Sequence, residues 1–228
     1  MEFNCYDVLE VQGKRYVVGE VISYQEFIVD KTIRYDLNDE NYKKELLKFI
    51  KTFDSGIEGI KTTPDSIEAV KSNNGIIDIE VIHKGEKGEV KALPFYLESN
   101  GTRKMFHLFD FFMDALKNGM VLFVDELDAK LHPLLTRYII NLFHNSDTNK
   151  GNGQLIYSTH DTVNLNKETF RRDEIWFAEK DKDGVSKIYS LADYKINDVK
   201  VRNDATYNKD YLSGRYGAIP VLENFEVI

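Results

Sequence analysis

The sequence has a single cysteine, Cys5, among its 228 residues. One thiol excludes an internal disulfide framework and a cysteine-based zinc site, and it suits a reducing compartment. No apolar stretch approaches the roughly 18 residues that a membrane-spanning helix needs. The opening Met-Glu-Phe-Asn-Cys lacks the basic and then apolar pattern of a secretory signal. We therefore expect a cytoplasmic chain that makes no membrane contact.

Basic residues are outnumbered by acidic ones. The chain has 30 Lys and Arg against 38 Asp and Glu, which gives a formal net charge of -8. This balance argues against a dedicated nucleic-acid-binding module, although a local basic face that contacts DNA stays open. The 42% of hydrophobic residues is enough for one substantial core, or for a domain with an appendage.

Residues 1–90 are predicted to be rich in strands, with one helix. The helix covers residues 39–53, where Leu46 and Ile50 fall on one apolar face. Around it we predict strands in residues 3–36 with a hairpin turn at Gln12-Gly13-Lys14, turns in residues 54–75, and strands over residues 76–81 and 89–97. We interpret this region as an insertion or arm.

Residues 91–228 are predicted to alternate helix and strand, the order typical of a parallel layered sheet. The predicted elements are a helix over residues 102–118 that ends at Gly119, a strand over residues 121–124, a helix from Pro133 to Phe143, a strand over residues 154–159, and a hairpin over residues 174–191. The predicted fold class is therefore α/β.

The predicted strand at residues 121–124 ends in two carboxylates, Asp125 and Glu126. Its apolar composition indicates burial in a parallel sheet, where ligands bind at the carboxyl edge of the strands. Asp125 is placed to hold Mg²⁺, and Glu126 to orient or deprotonate an attacking water. For this fragment alone, a strand that simply ends in acidic turn residues is an equally good interpretation.

Two further segments place polar residues beside predicted elements. Ser99 is a good helix N-cap, and Gly101 would let a ligand approach a helix start, whose unpaired N–H groups suit a phosphate. His160 follows a predicted strand, where an imidazole could hydrogen-bond a transferred phosphate. Each feature by itself is common in purely structural roles. His132, just before Pro133, is interpreted as a helix-start residue.

The order and spacing of these segments resemble the ABC-type ATPases, in which a signature helix start precedes a Walker B strand, an aspartate loop and a switch histidine. The segments Val-Asp-Glu-Leu-Asp-Ala-Lys-Leu-His-Pro and Ser-Thr-His-Asp are similar to those of the overcoming-lysogenization-defect-like branch, the AAA15 and AAA21 ATPases, which are relatives of the heads of structural-maintenance-of-chromosomes proteins. The resemblance is strong over about residues 90–228. It implies that residues 91–228 are the C-terminal half of a P-loop ABC-type head.

The resemblance also implies site residues, cofactors and partners. The matching residues are Ser99, Gly101 and Thr102 in the signature motif, Asp125 as the Walker B aspartate, Glu126 as the catalytic glutamate, Asp128 in the aspartate loop and His160 as the switch histidine. The implied cofactors are ATP and Mg²⁺, with ATP sandwiched between two heads of a homodimer. The implied setting is phage defence or DNA maintenance, with an effector such as a nuclease as a further partner.

One part of the family's pattern is missing from these 228 residues. The Walker A loop, Gly-x-x-x-x-Gly-Lys-[Ser/Thr], has no match, because Val8 and Arg15 stand at two of its required positions around Gly13-Lys14. We therefore expect the chain to be one part of a larger or split ATPase, inactive without an upstream Walker A half.

Two alternative functions stay open. The first is a catalytically silent module that binds a partner through the hairpin at residues 175–191 or through residues 1–90. The second is a metal-dependent nuclease that uses Asp125, Glu126 and His160, which the acidic net charge disfavours.

Overall fold

The computed structural model describes residues 7–11, 14–19, 37, 39–62, 79–85, 88–182, 184–196, 199–201 and 205–220. The chain divides into two compact units, residues 1–159 and residues 160–228. The division predicted between residues 90 and 91 falls inside the first unit, and it stays a prediction. No helix in the described ranges is long and apolar enough to cross a bilayer.

A four-stranded sheet organises the first unit. Its strands are, in spatial order, β1 (Asp7–Val11), β2 (Lys14–Gly19), β6 (Val121–Val124) and β7 (Gln154–Tyr157). The first two form an antiparallel hairpin, whereas β2 pairs with β6 and β6 with β7 in parallel. Because parallel neighbours end at the same edge, the carboxyl ends of these three strands share one side of the sheet. The predicted mixed α/β fold with a parallel sheet is confirmed.

An antiparallel sheet of three strands precedes the central helix: β3 (Ile57–Thr62), β4 (Ile79–Lys84) and β5 (Val90–Pro94). The expectation of turns throughout residues 54–75 is wrong for residues 57–62. A register shift between Ile57 and Gly59 puts Ile57 and Ile60 on the buried face, so the strand lacks the usual alternation. The turns expected at residues 63–75 lie outside the described residues. The strand predicted over 89–97 ends at Pro94, and a short 3₁₀ turn, Phe95–Leu97, follows.

Three helices in the described part of the first unit cover its core: α1 (Glu40–Phe53), α2 (Asn100–Asn118) and α3 (Pro133–His144). Each has apolar residues at helical spacing, and the buried stripes of α1 and α2 meet through aromatic rings. Phe49 packs against Phe109 and Phe112 with ring centroids 5.4 and 6.0 Å apart. The helices predicted from local pattern agree with these bounds to within two residues at each end.

The second unit is smaller and rich in tyrosine. The predicted hairpin is present as β8 (Trp176–Lys180) and β9 (Ser186–Ser190), and the shorter elements are β10 (Lys195–Ile196), β11 (Val199–Lys200) and α4 (Tyr207–Leu212). Phe177 stacks on Tyr211 at 5.3 Å. The hydroxyl of Tyr189 donates to the carbonyl oxygen of Tyr216 at 2.6 Å. Such rings supply apolar area together with a hydrogen-bonding end.

Candidate functional site

The carboxyl edge of β6 and β7 brings together three polar residues. Asp125 and Glu126 follow β6 directly and are exposed, and Ser158 follows β7. The two strands are adjacent, with Val124 opposite Tyr157. The expectation that these acidic residues end a buried strand of a parallel sheet is confirmed, since Val121, Leu122 and Val124 are buried.

Ser158 holds the chain that leaves β6. Its backbone N–H donates to the carbonyl oxygen of Val124 at 3.1 Å, and its own carbonyl accepts from the N–H of Leu127 at 3.1 Å. The Ser158 hydroxyl accepts from the N–H of Glu126 at 2.8 Å and donates to the Asp125 carboxylate. One serine therefore fixes both the backbone of the acidic pair and the orientation of the first carboxylate.

The turn after β6, residues 125–130, has an unusual backbone. Glu126 and Lys130 have φ angles of 48° and 64°, which side chains other than glycine rarely adopt. Each such residue costs on the order of 1–3 kcal/mol and persists only where its surroundings enforce it. Part of that enforcement comes from Lys104 on α2, whose ammonium donates to the carbonyl oxygens of Glu126, Leu127 and Ala129 at 2.6, 3.1 and 3.2 Å.

Lys104 is a buried cation, with 4% of the residue exposed. Burial lowers its pKa to about 8, because an ammonium loses hydration in the interior. The negative charges of Asp128 and Glu126 act in the opposite direction and raise that pKa. The lysine is thus surrounded by backbone carbonyls and by the acidic groups of the same turn.

The start of α2 packs on the other end of this turn. Ser99 is the N-cap, as predicted, and its hydroxyl oxygen accepts from the N–H of Thr102 at 3.1 Å. Thr102 is buried, and its hydroxyl lies 2.8 Å from that of Ser99. Gly101 sits where an added Cβ would be 2.9 Å from the carbonyl oxygen of Lys130. Its lack of a side chain therefore serves contact with the turn, a reason that the sequence did not reveal.

A buried carboxyl group stands directly before this helix start. Glu98, whose side chain is 4% exposed, is hydrogen-bonded to the Nε2 of His83 at 2.7 Å. His83 belongs to β4, so the pair connects the antiparallel sheet to the residue before Ser99. The carboxylate is satisfied inside the fold, and Ser99 beside it stays exposed.

Asp128 and His132 lie along the rest of the turn. Asp128 is half-buried, and its Oδ1 has no hydrogen-bond partner among the described residues. His132 is the N-cap of α3, where its Nδ1 accepts from the N–H of Leu134 at 3.2 Å. The interpretation of His132 as a helix-start residue is confirmed.

His160 is exposed and opens the second unit. The residue after it, Asp161, forms a local turn, since its carboxylate accepts from the N–H of Val163 at 2.7 Å and from the side-chain amide of Asn164 at 2.6 Å. The chain immediately after His160 is therefore fixed within that unit. The approach of the imidazole to a shared phosphate position stays a prediction.

Comparison with known families supports the sequence resemblance at the level of the domain. The sequence matches the family described as "AAA domain, putative AbiEii toxin, Type IV TA system" over residues 23–166, more than half of the chain. The chain belongs to this AAA domain family. No protein among the curated ones matches the sequence significantly.

Membership of the AAA domain family indicates a general function in nucleotide binding and hydrolysis. Domains of this family belong to the P-loop NTPase superfamily, bind nucleotides with Mg²⁺ and hydrolyse them. The matched range includes the predicted signature, Walker B and switch residues. Within the described parts of the chain, no three His, Cys, Asp or Glu side chains converge as a ready-made metal site. The exposed carboxylates of Asp125 and Glu126 are oxygen ligands of the kind that Mg²⁺ prefers, usually one or two together with phosphate oxygens and water.

Two residues of this AAA domain with clear contacts at the site had no role in the sequence prediction, Ser158 and Lys104. Ser158 belongs to the segment that contains His160, and a hydroxyl directly after an apolar strand was the available signal. Lys104 gave no such signal, because it stands beside Arg103 at the start of an amphipathic helix, where basic residues are usually solvated.

Proposed function

We propose that this chain forms the signature, Walker B and switch side of an ATP-hydrolysing head. The observation that supports the proposal best is the shared edge of β6 and β7. There, Asp125 and Glu126 are held by Ser158, and the Ser99 helix start packs against the same turn through Gly101. Phosphoryl transfer depends mainly on positioning and charge neutralisation, which are the properties of such an arrangement.

Asp125 and Glu126 have different roles in this proposal. Asp125, oriented by the Ser158 hydroxyl, would hold Mg²⁺ together with the phosphates. When bound, the metal neutralises charge on the transferred phosphate oxygens. Glu126 has an exposed carboxylate on a backbone that is fixed at its N–H and its carbonyl oxygen. It would orient the attacking water and accept its proton.

The helix start at Ser99 would close over a nucleotide held by another head. The first N–H groups of a helix lack partners within it and carry a partial positive charge, which suits a phosphate. Ser99 and Gly101 would supply this surface, with buried Thr102 as its support, and Asp128 would face the partner across the dimer. His160 would contact the γ-phosphate. A homodimer, or a separate Walker A half, is the partner that this reading requires.

The biological setting follows from the resemblance alone. We place the ATPase in phage defence or DNA maintenance, together with an effector such as a nuclease. DNA is a further candidate ligand. The family description names a toxin of a type IV toxin–antitoxin system, which is one form that such a defence role could take.

The first test measures ATP binding by the 228-residue chain alone, with and without Mg²⁺. The sequence has no Walker A amides or lysine to hold the β- and γ-phosphates. We therefore expect no binding in the micromolar range by calorimetry. Micromolar affinity for ATP would contradict the proposed division of labour between this chain and a Walker A half.

The second test combines the chain with a Walker A half, in the same polypeptide or in a separate one, and measures phosphate release. We expect hydrolysis to appear and Glu126→Gln to reduce kcat by about 10²–10⁴-fold, the usual contribution of a general base. Glu40→Gln, an exposed glutamate at the start of α1, serves as the matched control and should leave kcat unchanged. Full activity of the Glu126→Gln protein would refute the proposed role.

A specific observation also favours the silent interaction module. Trp176 and Ile188 are 62% and 71% exposed. Trp176 lies on the same face of its strand as Ala178, and Ala178 pairs with Ile188, so Trp176 and Ile188 share one face of the β8–β9 hairpin. Exposed aromatic and aliphatic side chains on one face are typical of contact surfaces. Under this alternative, Trp176→Ala would abolish a biological effect that Glu126→Gln leaves intact. The ATPase proposal expects the reverse.

A further inference from the structure

Lys104 is unusual because its charge is buried without a direct ion pair among the described residues. Lysine is rarely fully buried unless it is paired, yet this residue is 4% exposed. Its three closest acceptors are all backbone carbonyl oxygens, those of Glu126, Leu127 and Ala129. An ammonium has three donor hydrogens, so these carbonyls account for its whole capacity.

The three carbonyls belong to the turn that carries the acidic residues. Carbonyl oxygens that point at one position repel each other, and a cation placed between them removes that repulsion. Glu126 in this turn also has a φ of 48°, which its surroundings must enforce. Lys104 therefore acts on the backbone of the turn in the way that a bound cation acts on a carbonyl cage.

The same residue ties the turn to α2. Lys104 lies one helical turn after Gly101, where an added Cβ would be 2.9 Å from the carbonyl oxygen of Lys130. The beginning of α2 thus contacts both ends of the turn, from Glu126 to Lys130. Because these contacts involve backbone atoms, the position of the helix start determines the position of the Glu126 backbone.

We propose that Lys104 is a positioning residue that holds the Glu126 carboxylate in a fixed place relative to the Ser99 helix start. It is not a catalytic residue, because its donors are occupied by the turn. This inference rests on the proposed function for its chemical consequence, but its structural part does not. Loss of Lys104 frees the turn, and the carboxylate then samples positions from which it cannot orient the water.

The structural part is tested by hydrogen exchange on the nucleotide-free chain. The N–H of Ala129 donates to Glu126 and that of Leu131 to Asp128, so both report on the turn. In Lys104→Met, we expect these amides to exchange at least about tenfold faster, since charge-assisted hydrogen bonds to the turn are lost. Lys117→Met, at the exposed far end of α2, is the matched control and should leave both rates unchanged. Unchanged rates in a folded Lys104→Met protein overturn the inference.

A second variant covers the case in which Lys104→Met does not fold. Lys104→Arg keeps the charge, but the flat guanidinium cannot direct donors at all three carbonyls from one atom. We expect it to fold and to exchange the Ala129 and Leu131 amides a few-fold faster, on the order of threefold. Rates equal to those of the unmodified chain would overturn the inference equally.

The chemical part uses the Walker A-complemented ATPase. Positioning of a general base affects the chemical step, so Lys104→Met should lower kcat by about 10–100-fold and change KM less than about threefold. A merely structural role would reduce the amount of active protein but leave the kcat of each active site unchanged. The number of active sites is counted from nucleotide occupancy. If Glu126→Gln has no effect on hydrolysis, the proposed function fails while the exchange result still stands. If exchange is unaffected while Glu126 is essential, the role of Lys104 fails alone.

Discussion

The two ends of helix α2 are held in opposite ways. At its beginning, Gly101 contacts one carbonyl and Lys104 binds three, all in the turn that carries Asp125 and Glu126. At its end, Gly119 has a φ of 75° and an added Cβ would lie 2.4 Å from the carbonyl oxygen of Gly151. The first end combines one close backbone contact with hydrogen bonds from a charged side chain, whereas direct contact of backbones joins the other end.

The two ends of α2 are therefore expected to affect different properties, the stability of the fold at one end and the geometry of the candidate site at the other. Backbone contacts that leave no room for a Cβ are rigid and cannot rearrange without loss of packing. Hydrogen bonds from a lysine hold a definite geometry but can be altered without a cavity or a clash. We therefore expect changes at the glycine end to affect the free energy of unfolding, and changes at the lysine end to affect the turn.

The largest effect is expected from Gly153→Ala at the glycine end. Its Cβ would lie 2.1 Å from the carbonyl oxygen of Ala115, a backbone atom of α2. Overpacking of this kind costs about 3 kcal/mol, which lowers Tm by about 6–12 °C for a chain of this size. Thermal unfolding followed by circular dichroism measures it. Gln154→Ala, the exposed neighbour, is the control and should stay within about 0.5 kcal/mol.

The comparison would be broken if Gly153→Ala also loosened the turn. Well below its melting temperature, the amides of Ala129 and Leu131 should exchange in this variant as they do in the unmodified chain. Faster exchange there would mean that the two ends of α2 are coupled through the helix.

A smaller effect, on kcat and not on the free energy of unfolding, is expected from Gly101→Ala. The added Cβ would be 2.9 Å from the carbonyl oxygen of Lys130, so the turn must move by a few tenths of an ångström. Alanine favours the helix over glycine by up to about 1 kcal/mol, which offsets the strain in the free energy of unfolding. In the complemented ATPase we expect a loss in kcat of about tenfold, because small displacements of catalytic groups are costly. An unchanged kcat would show that the turn tolerates displacement.

The smallest effect is expected in the middle of α2, at Asp110. Burial raises its pKa to about 6, with a hydrogen bond from Tyr42 in opposition. The folded chain then keeps this proton up to about pH 6, whereas the unfolded chain releases it near the ordinary value of 3.8. The carboxyl therefore stabilises the fold at low pH, and that contribution is lost as the pH rises through 6.

Asp110→Asn removes this dependence. We expect the variant to be more stable than the unmodified chain by about 1 kcal/mol at pH 7, less than the full pKa difference implies because the carboxyl is partly exposed and screened by solvent, and equal to it near pH 3, measured by urea unfolding. Asp114→Asn, on the exposed face of the same helix, is the control and should show a smaller pH-dependent difference. Turn exchange should be unaffected in both. Equal stability of Asp110→Asn and the unmodified chain at pH 7 would contradict the raised pKa.

Local patterns predicted the elements around the site well. Ser99 and His132 were recognised as helix starts because an N-cap depends on a few adjacent residues. The strand Val121–Val124 was recognised because four apolar residues precede two acidic ones. These are short-range effects, and each is readable in a window of a few residues.

The remaining features depend on distant parts of the chain. Strand β3 was missed because a bulge between Ile57 and Gly59 breaks the alternation that identifies strands. The contact of Lys104 with the carbonyl of Glu126 depends on how α2 crosses the end of β6, which no local pattern records. The nucleotide chemistry came from motif order and the family resemblance, and the roles of the individual site residues stay predictions.

The pairing of β2 with β6 has a consequence for synthesis of the chain. Tyr16 of β2 pairs with Val121 of β6, a partner that is made more than a hundred residues later. At translation rates of about 5–20 residues per second, the β1–β2 hairpin waits roughly 5–20 s for its neighbour. An isolated two-stranded hairpin is only marginally stable in water. The hairpin is therefore made long before the strand that completes its pairing, and its exposed edge must be protected from other nascent chains during that interval.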